Sequence, residues 1–187
     1  MLKYANRKWN YESNFFNKYQ FEKIKNNELK LSKNIRHVES ELYLITKPLR
    51  YHEKQKKFLL KKFHITEGEY FSNKLATINS LIELSSKVDI KSLIFPTELV
   101  ILDGKIVGYL MPYIEGVNLI TLLEGYELRD YEKIKLLTEI GLIIEKVHNY
   151  SKHKSEFFLG DIHEANFILD ANRQIRVTDL DGCKLKN

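Results

Sequence analysis

Apolar positions change their period along this chain, and each change marks an element. Ile134, Leu137, Ile140, Ile144 and Val147 recur every three or four residues, the spacing of a helix that buries one stripe, so a long helix is expected over residues 130–148. Ahead of it, the apolar runs 99–102 and 106–110 flank Asp103-Gly104, which predicts two strands joined by a tight turn. Phe167-Ile168-Leu169 and Ile175-Arg176-Val177 flank a polar stretch at 170–174 and predict a second hairpin. Phe58-Leu59-Leu60-Lys61-Lys62-Phe63 reads as an early strand, preceded by a first hairpin over roughly residues 35–46. After that strand, Phe71, Leu75, Ile78 and Leu81 or Ile82 outline a helix begun by Glu67 and Glu69, with Glu83 near its end. Sheet first and helices later is an α+β arrangement.

The polar residues placed between these elements carry the chemistry. Gly160-Asp161-Ile162-His163-Glu164-Ala165-Asn166 leads into the second hairpin, and Asp179 follows thirteen residues after Asn166. Phosphoryl transfer asks one carboxylate to take the proton of an acceptor hydroxyl, and an amide with a second carboxylate to hold magnesium against a triphosphate. Asp161, Asn166 and Asp179 are those residue types in that order, and the hairpin between the last two is expected to return Asp179 beside Asn166. Because Asp161 already suits the proton-accepting role, His163 is expected to serve as a hydrogen-bonding group within the loop.

From about Ile35 to Gly182 the chain resembles the protein-kinase-like superfamily, in particular the bacterial and aminoglycoside- or choline-kinase-like branches that share the Gly-Asp-x-His-x-x-Asn pattern. The resemblance implies a two-lobed fold. Its N-lobe, residues 37–112, would be an antiparallel sheet with one helix, and residues 113–187 a hinge and an abbreviated, mostly helical C-lobe. A basic aromatic extension, residues 1–36, would precede both. It further implies ATP and Mg2+ as cofactors and an acceptor hydroxyl on a protein or small molecule. Asp161, Lys61 and Asn166 would be catalytic, and Asn166 and Asp179 would be the metal ligands. Lys61, Glu69, Met111, Pro112, Ile114 and Ile168 would bind the nucleotide, with adenine on the carbonyl of Pro112 and the N–H of Ile114. Proline keeps its carbonyl and loses only a donor, so Pro112 suits that position. Strand alternation sends Lys61 and Lys62 to opposite faces, so one of them, Lys61 in the first instance, can hold the α- and β-phosphates. Glu69 and Glu83 both offer a carboxylate to that lysine, Glu69 with a second use in the first turn of its helix.

Several residues depart from the family pattern. No glycine precedes Gly68, so Arg36-His37-Val38-Glu39-Ser40 stands where a glycine-rich loop would approach phosphates. Leu159 stands where many relatives carry histidine, and the metal motif reads Asp179-Leu180-Asp181-Gly182, leaving Asp181 as an auxiliary ligand or a solvated turn residue. These departures keep a pseudokinase, a nucleotide-binding regulatory module without turnover, as the alternative. With Asn187 only eight residues beyond Asp179, a truncated piece or a minimal module is expected, its long helix covered by a partner or a second copy.

Composition narrows the setting. Of 187 residues, 43% are hydrophobic, enough for one sizeable core or two small lobes. The single cysteine, Cys183, excludes an internal disulfide, and neither a signal peptide nor a membrane span is visible, so a cytoplasmic location is expected. The formal charge of +5 is unevenly spread: residues 1–36 and 47–62 each carry a net +6, and the remainder is acidic. Tyr4, Trp9, Tyr11, Phe15, Phe16, Tyr19 and Phe21 interleave with the first basic block. That mixture suits an amphipathic helix packed on the first lobe, or, as a third function, stacking on single-stranded nucleic acid.

Overall fold

The computed structural model describes residues 10–11, 21–23, 40–45, 57–125, 128–153 and 157–185. The glycine-less segment at 36–39 and the basic residues from 47 to 56 lie outside them, as does most of the extension at 1–36. The described chain is α+β and divides into two compact units, residues 1–87 with 95–113, and residues 88–94 with 114–187.

The first unit is built on a six-stranded sheet in the order β1-β5-β6-β4-β3-β2. Its strands are β1 (Asn10–Tyr11), β2 (Phe21–Lys23), β3 (Ser40–Ile45), β4 (Phe58–Phe63), β5 (Glu98–Leu102) and β6 (Lys105–Pro112). All pairs are antiparallel except β1 with β5. Residues 10–11 and 21–23 form short strands, and the rest of the stretch in which an amphipathic helix is expected lies outside the described residues. Of the expected hairpin over 35–46 only 40–45 lie among the described residues, and they form β3, whose neighbours are β2 and β4. Alternation in sequence could mark β3 as a strand but not choose its partner.

The β5–β6 hairpin forms as its Asp-Gly pair requires. Asp103 and Gly104 have φ of 49° and 77°, the left-handed pair of a turn whose twist matches the flanking strands. One face of the sheet buries Ile45, Phe58, Leu60, Val100 and Leu110, with Tyr43 and Val107 packed against them. Each fully buried side chain of this kind contributes about 1.5–3 kcal/mol. On the other face Phe63 meets Tyr109 and, edge to face at 5.6 Å, Phe71 of α1 (Glu69–Leu84). That helix buries Phe71, Ile78 and Leu81, three of its expected apolar positions.

The second unit contains β7 (Gly116–Asn118), α2 (Leu119–Glu124), α3 (Asp130–His153), β8 (Phe157–Phe158), β9 (Phe167–Asp170), β10 (Ile175–Val177) and β11 (Lys184–Leu185). Its sheets run β10-β9-β7 and β11-β8, both antiparallel. α3 packs on β8 and β10, and of the expected stripe Ile140 and Val147 are buried and Ile144 half-buried, while its first two positions are not covered. Leu136, Ile140 and Val147 are buried, whereas Ile134 is 64% and Leu137 53% exposed. Near the start of the helix Leu136 takes the inward position in place of Ile134 and Leu137.

The turn between β9 and β10 is organised by Asp170. Its Oδ1 accepts from the N–H groups of Asn172 and Gln174, each at 2.9 Å, and its Oδ2 from Nε of Arg176 at 2.8 Å. Arg176 also donates to the carbonyl of Lys91, tying β10 to the 88–94 segment, whose Ile94 N–H bonds Val177 O. Burial alone would raise the Asp170 carboxyl, but the N–H of Gln174, the Arg176 guanidinium and the N–H of Asn172 hold it below its ordinary value. A folded-state value below the unfolded one gives stability that is present at neutral pH and lost as pH falls from about 4 through the depressed value. Asp170→Asn is expected to lower unfolding stability by about 1–2 kcal/mol at pH 7. Urea midpoints should show the gap to the native chain narrowing at pH 3.

Candidate active site

The loop from Gly160 to Asn166 is held largely by its own hydrogen bonds. His163, extended in backbone, accepts the N–H of Ala165 on Nδ1 at 3.1 Å, and its carbonyl accepts the N–H of Asn166 at 2.9 Å, closing a single 3-10 turn over Glu164–Asn166. His163 is thus the loop-forming group expected of it, with Nδ1 engaged as an acceptor.

Asn166 is 9% exposed, and its amide nitrogen donates to Asp161 twice, to the backbone carbonyl at 3.1 Å and to Oδ2 at 3.2 Å. The amide nitrogen is thus committed to Asp161, which fixes the orientation of the Asn166 side chain. The carbonyl of Asn166 accepts from the N–H of Thr178 at 2.8 Å, which brings the end of β10 against the loop. Asp179 then reverses the chain in the left-handed region, φ 58° and ψ 46°, a conformation that aspartate tolerates better than most residues.

Asp161, Thr178 and Asp179 line one depression with Phe167, Leu180 and Cys183. Asp161 is exposed and Asp179 half-buried. The second hairpin does what its spacing predicts, since two short strands and a compact turn return Asp179 to the loop that carries Asn166. Asp181 is buried, so of its two expected environments the solvated turn is excluded.

The surrounding charge registers on Cys183. Burial, then the carboxylates of Asp181, Asp179 and Asp161, push its thiol up to about 12, against a partly opposing hydrogen bond from the Gly160 backbone. The thiol therefore stays protonated at neutral pH and is a poor nucleophile. Two glycines make this packing possible: a Cβ on Gly160 would lie 2.2 Å from the carbonyl oxygen of Gly182, and one on Gly182 would lie 2.9 Å from Cβ of Asp161.

Of the residues expected to bind nucleotide, Lys61, Glu69, Met111 and Pro112 belong to the first unit, and Ile114 and Ile168 to the second. Lys61 is 7% exposed and pairs across β6 with Tyr109, while Met111 pairs with Leu59, so Lys61 and Met111 share the sheet face that carries Phe63 and α1. Lys62 lies on the opposite face, directly across β3 from Glu41. Glu69 stands exposed in the first turn of α1, where its carboxylate complements the helix dipole, and Glu83 is exposed near the other end. Glu67 pairs with Lys105 at 2.7 Å on the surface. Pro112 ends β6 opposite Phe58, and Ile168 lies in β9 between Asn118 and Arg176.

The donor types carried by Asn166 and Asp179 are those that a magnesium ion takes. Asn166 Oδ1 and the Asp179 carboxylate would supply two hard oxygen ligands, and in such sites phosphate and water supply the rest. Among the described residues no group of three or more His, Cys, Asp or Glu side chains could hold a metal ion by itself.

The family of lipopolysaccharide core biosynthesis proteins designated WaaY matches residues 7–187, nearly the whole chain. The chain belongs to the WaaY family. WaaY is kinase-like, which supports the phosphotransferase class inferred from the loop and the metal motif. Among curated proteins the chain has no match. Among the described residues of this WaaY-family chain, no helix is long and apolar enough to cross a membrane. Asn118 was given no role from the sequence, and Gly160 and Gly182 were read only as members of their motifs, not for the packing between them. The helix-cap position of Asn118, just before Leu119-Ile120, was a readable signal for one of its two bonds.

Proposed function

We propose that this chain is an ATP- and Mg2+-dependent phosphotransferase that places the γ-phosphate on a hydroxyl of a lipopolysaccharide core sugar, a heptose, in the cytoplasm. The observation that supports the proposal is the Asn166 amide bonded to Asp161, in a loop whose Asn166 carbonyl accepts the N–H of Thr178, the residue before Asp179.

Asp161 would accept the proton of the attacking hydroxyl as its oxygen bonds to phosphorus and the bond to the departing ADP breaks. Asn166 and Asp179 would hold the metal, and Lys61 the α- and β-phosphates. Bound magnesium supplies neutralisation of triphosphate charge. The acceptor class follows from the family's part in lipopolysaccharide core biosynthesis.

The exposed position of Glu69 favours a second reading, a nucleotide-binding regulatory module without turnover. Thermal shift with Mg·ATP, followed by ADP release with and without purified lipopolysaccharide core acceptor, separates the two. The phosphotransferase is expected to be stabilised by nucleotide and to release ADP in step with acceptor phosphorylation. Stabilisation without release would support the regulatory module. The absence of both would remove nucleotide from the account.

A further inference from the structure

Asn166 is fixed from outside its own loop by the side chain of Asn118. Asn118 is the last residue of β7 and the cap of α2, where its Oδ1 accepts the N–H of Ile120 at 2.8 Å. The other end of the same amide donates through Nδ2 to the carbonyl of Ala165 at 2.6 Å. The two ends are not interchangeable, because the helix start offers a donor and the loop an acceptor.

The peptide unit joining Ala165 to Asn166 is consequently held at both ends, its carbonyl by Asn118 and its N–H by His163 O. The next carbonyl, that of Asn166, is held by Thr178. With the peptides on both sides anchored, the Cα–Cβ direction of Asn166 is set, and Asp161 then orients its amide.

We propose that Asn118 is a positioning residue for phosphoryl transfer, clamping the 165–166 peptide to the start of α2 so that the Asn166 oxygen is presented at a fixed point. Its kinetic consequence rests on the phosphotransferase reading, but the clamp itself does not. Misplacing a ligand of the reacting centre by a fraction of an ångström is enough to slow the reaction many-fold.

Asn118→Ser and Asn118→Asp test this, since both residues are good helix caps and keep the acceptor for Ile120 while losing the donor to Ala165. Asn118→Ala, which loses both bonds, is the stability reference. In the full chain, the Ser and Asp variants are expected to keep their melting temperature and ATP KM and to lose about tenfold in kcat toward the core acceptor, the rate equivalent of one hydrogen bond. Amide hydrogen exchange should quicken at residues 163–167 and stay unchanged along α3.

Unchanged loop exchange in the Ser and Asp variants would overturn the clamp, whether or not the chain phosphorylates anything. Faster loop exchange with undiminished kcat would overturn the positioning role. So would a kcat loss accompanied by falls in melting temperature and ATP affinity as large as those of Asn118→Ala. If the native chain transfers no phosphate, the phosphotransferase reading fails, and the exchange measurement alone decides the clamp.

Discussion

Asp161→Asn is expected to lower kcat for phosphate transfer by a hundredfold or more while leaving stabilisation by Mg·ATP close to that of the native chain. The substitution is nearly isosteric, and the backbone carbonyl of residue 161 still accepts from Asn166 at 3.1 Å, so the loop retains its principal bond. What disappears is the proton-accepting carboxylate. Loss of a preorganised group aimed at the reacting atoms commonly costs on the order of a hundredfold to a thousandfold. Steady-state ADP release in the presence of acceptor, paired with thermal shift, reads both quantities. Turnover at the native rate would remove Asp161 from the mechanism, whereas loss of nucleotide stabilisation would show that the carboxylate acts in binding.

Gly160→Ala is the second large effect, and it arises from backbone packing. A methyl group there would lie 2.2 Å from the carbonyl oxygen of Gly182, inside any allowed contact, and the obstructing atom is backbone, so no side chain can rotate out of the way. Either the segment after Asp179 or the loop that begins at Asp161 must move. Overpacking of this kind costs about 1–3 kcal/mol of stability, and displacing the two acids relative to one another is expected to cost about a hundredfold in kcat. Chemical denaturation and turnover should therefore fall together. Gly141→Ala makes the control, because a Cβ at Gly141 of α3 meets nothing within 4 Å. Alanine is also the better helix former, so that variant should be as stable as the native chain or slightly more so. A Gly160→Ala protein with native stability and turnover would mean that the loop and the segment after Asp179 do not pack as described.

Much of the local structure was legible because its signals are local. Asp103-Gly104 requires left-handed backbone that few other dipeptides adopt readily, and the turn forms there. The β9–β10 hairpin was readable for a similar reason, since aspartate at its first position gathers the loop N–H groups and Arg173 completes the turn at φ 59°. Lys61 and Lys62 had to face opposite ways, but the choice between them lay in what each face packs against. Register with Tyr109 takes Lys61 to the α1 side, and register with Glu41 takes Lys62 to the other. On α3 the periodicity placed Ile140 and Val147 correctly in the core, but at the start of the helix Leu136 is buried and Ile134 and Leu137 are exposed.

By itself, the sequence determined the two longer helices, the strands of the two hairpins and β4, the two tight turns and the order Asp161, Asn166, Asp179, because each depends on backbone preference or on spacing of a few residues. Only the tertiary structure decided that Leu136 and not Ile134 or Leu137 is buried at the start of α3, that β3 pairs with β2 and β4, that Glu69 stays at the surface, and that Asn118 anchors Ala165. Those outcomes depend on contacts between segments distant along the chain, where many pairings satisfy the same local pattern and competition for buried area and hydrogen-bond partners selects one.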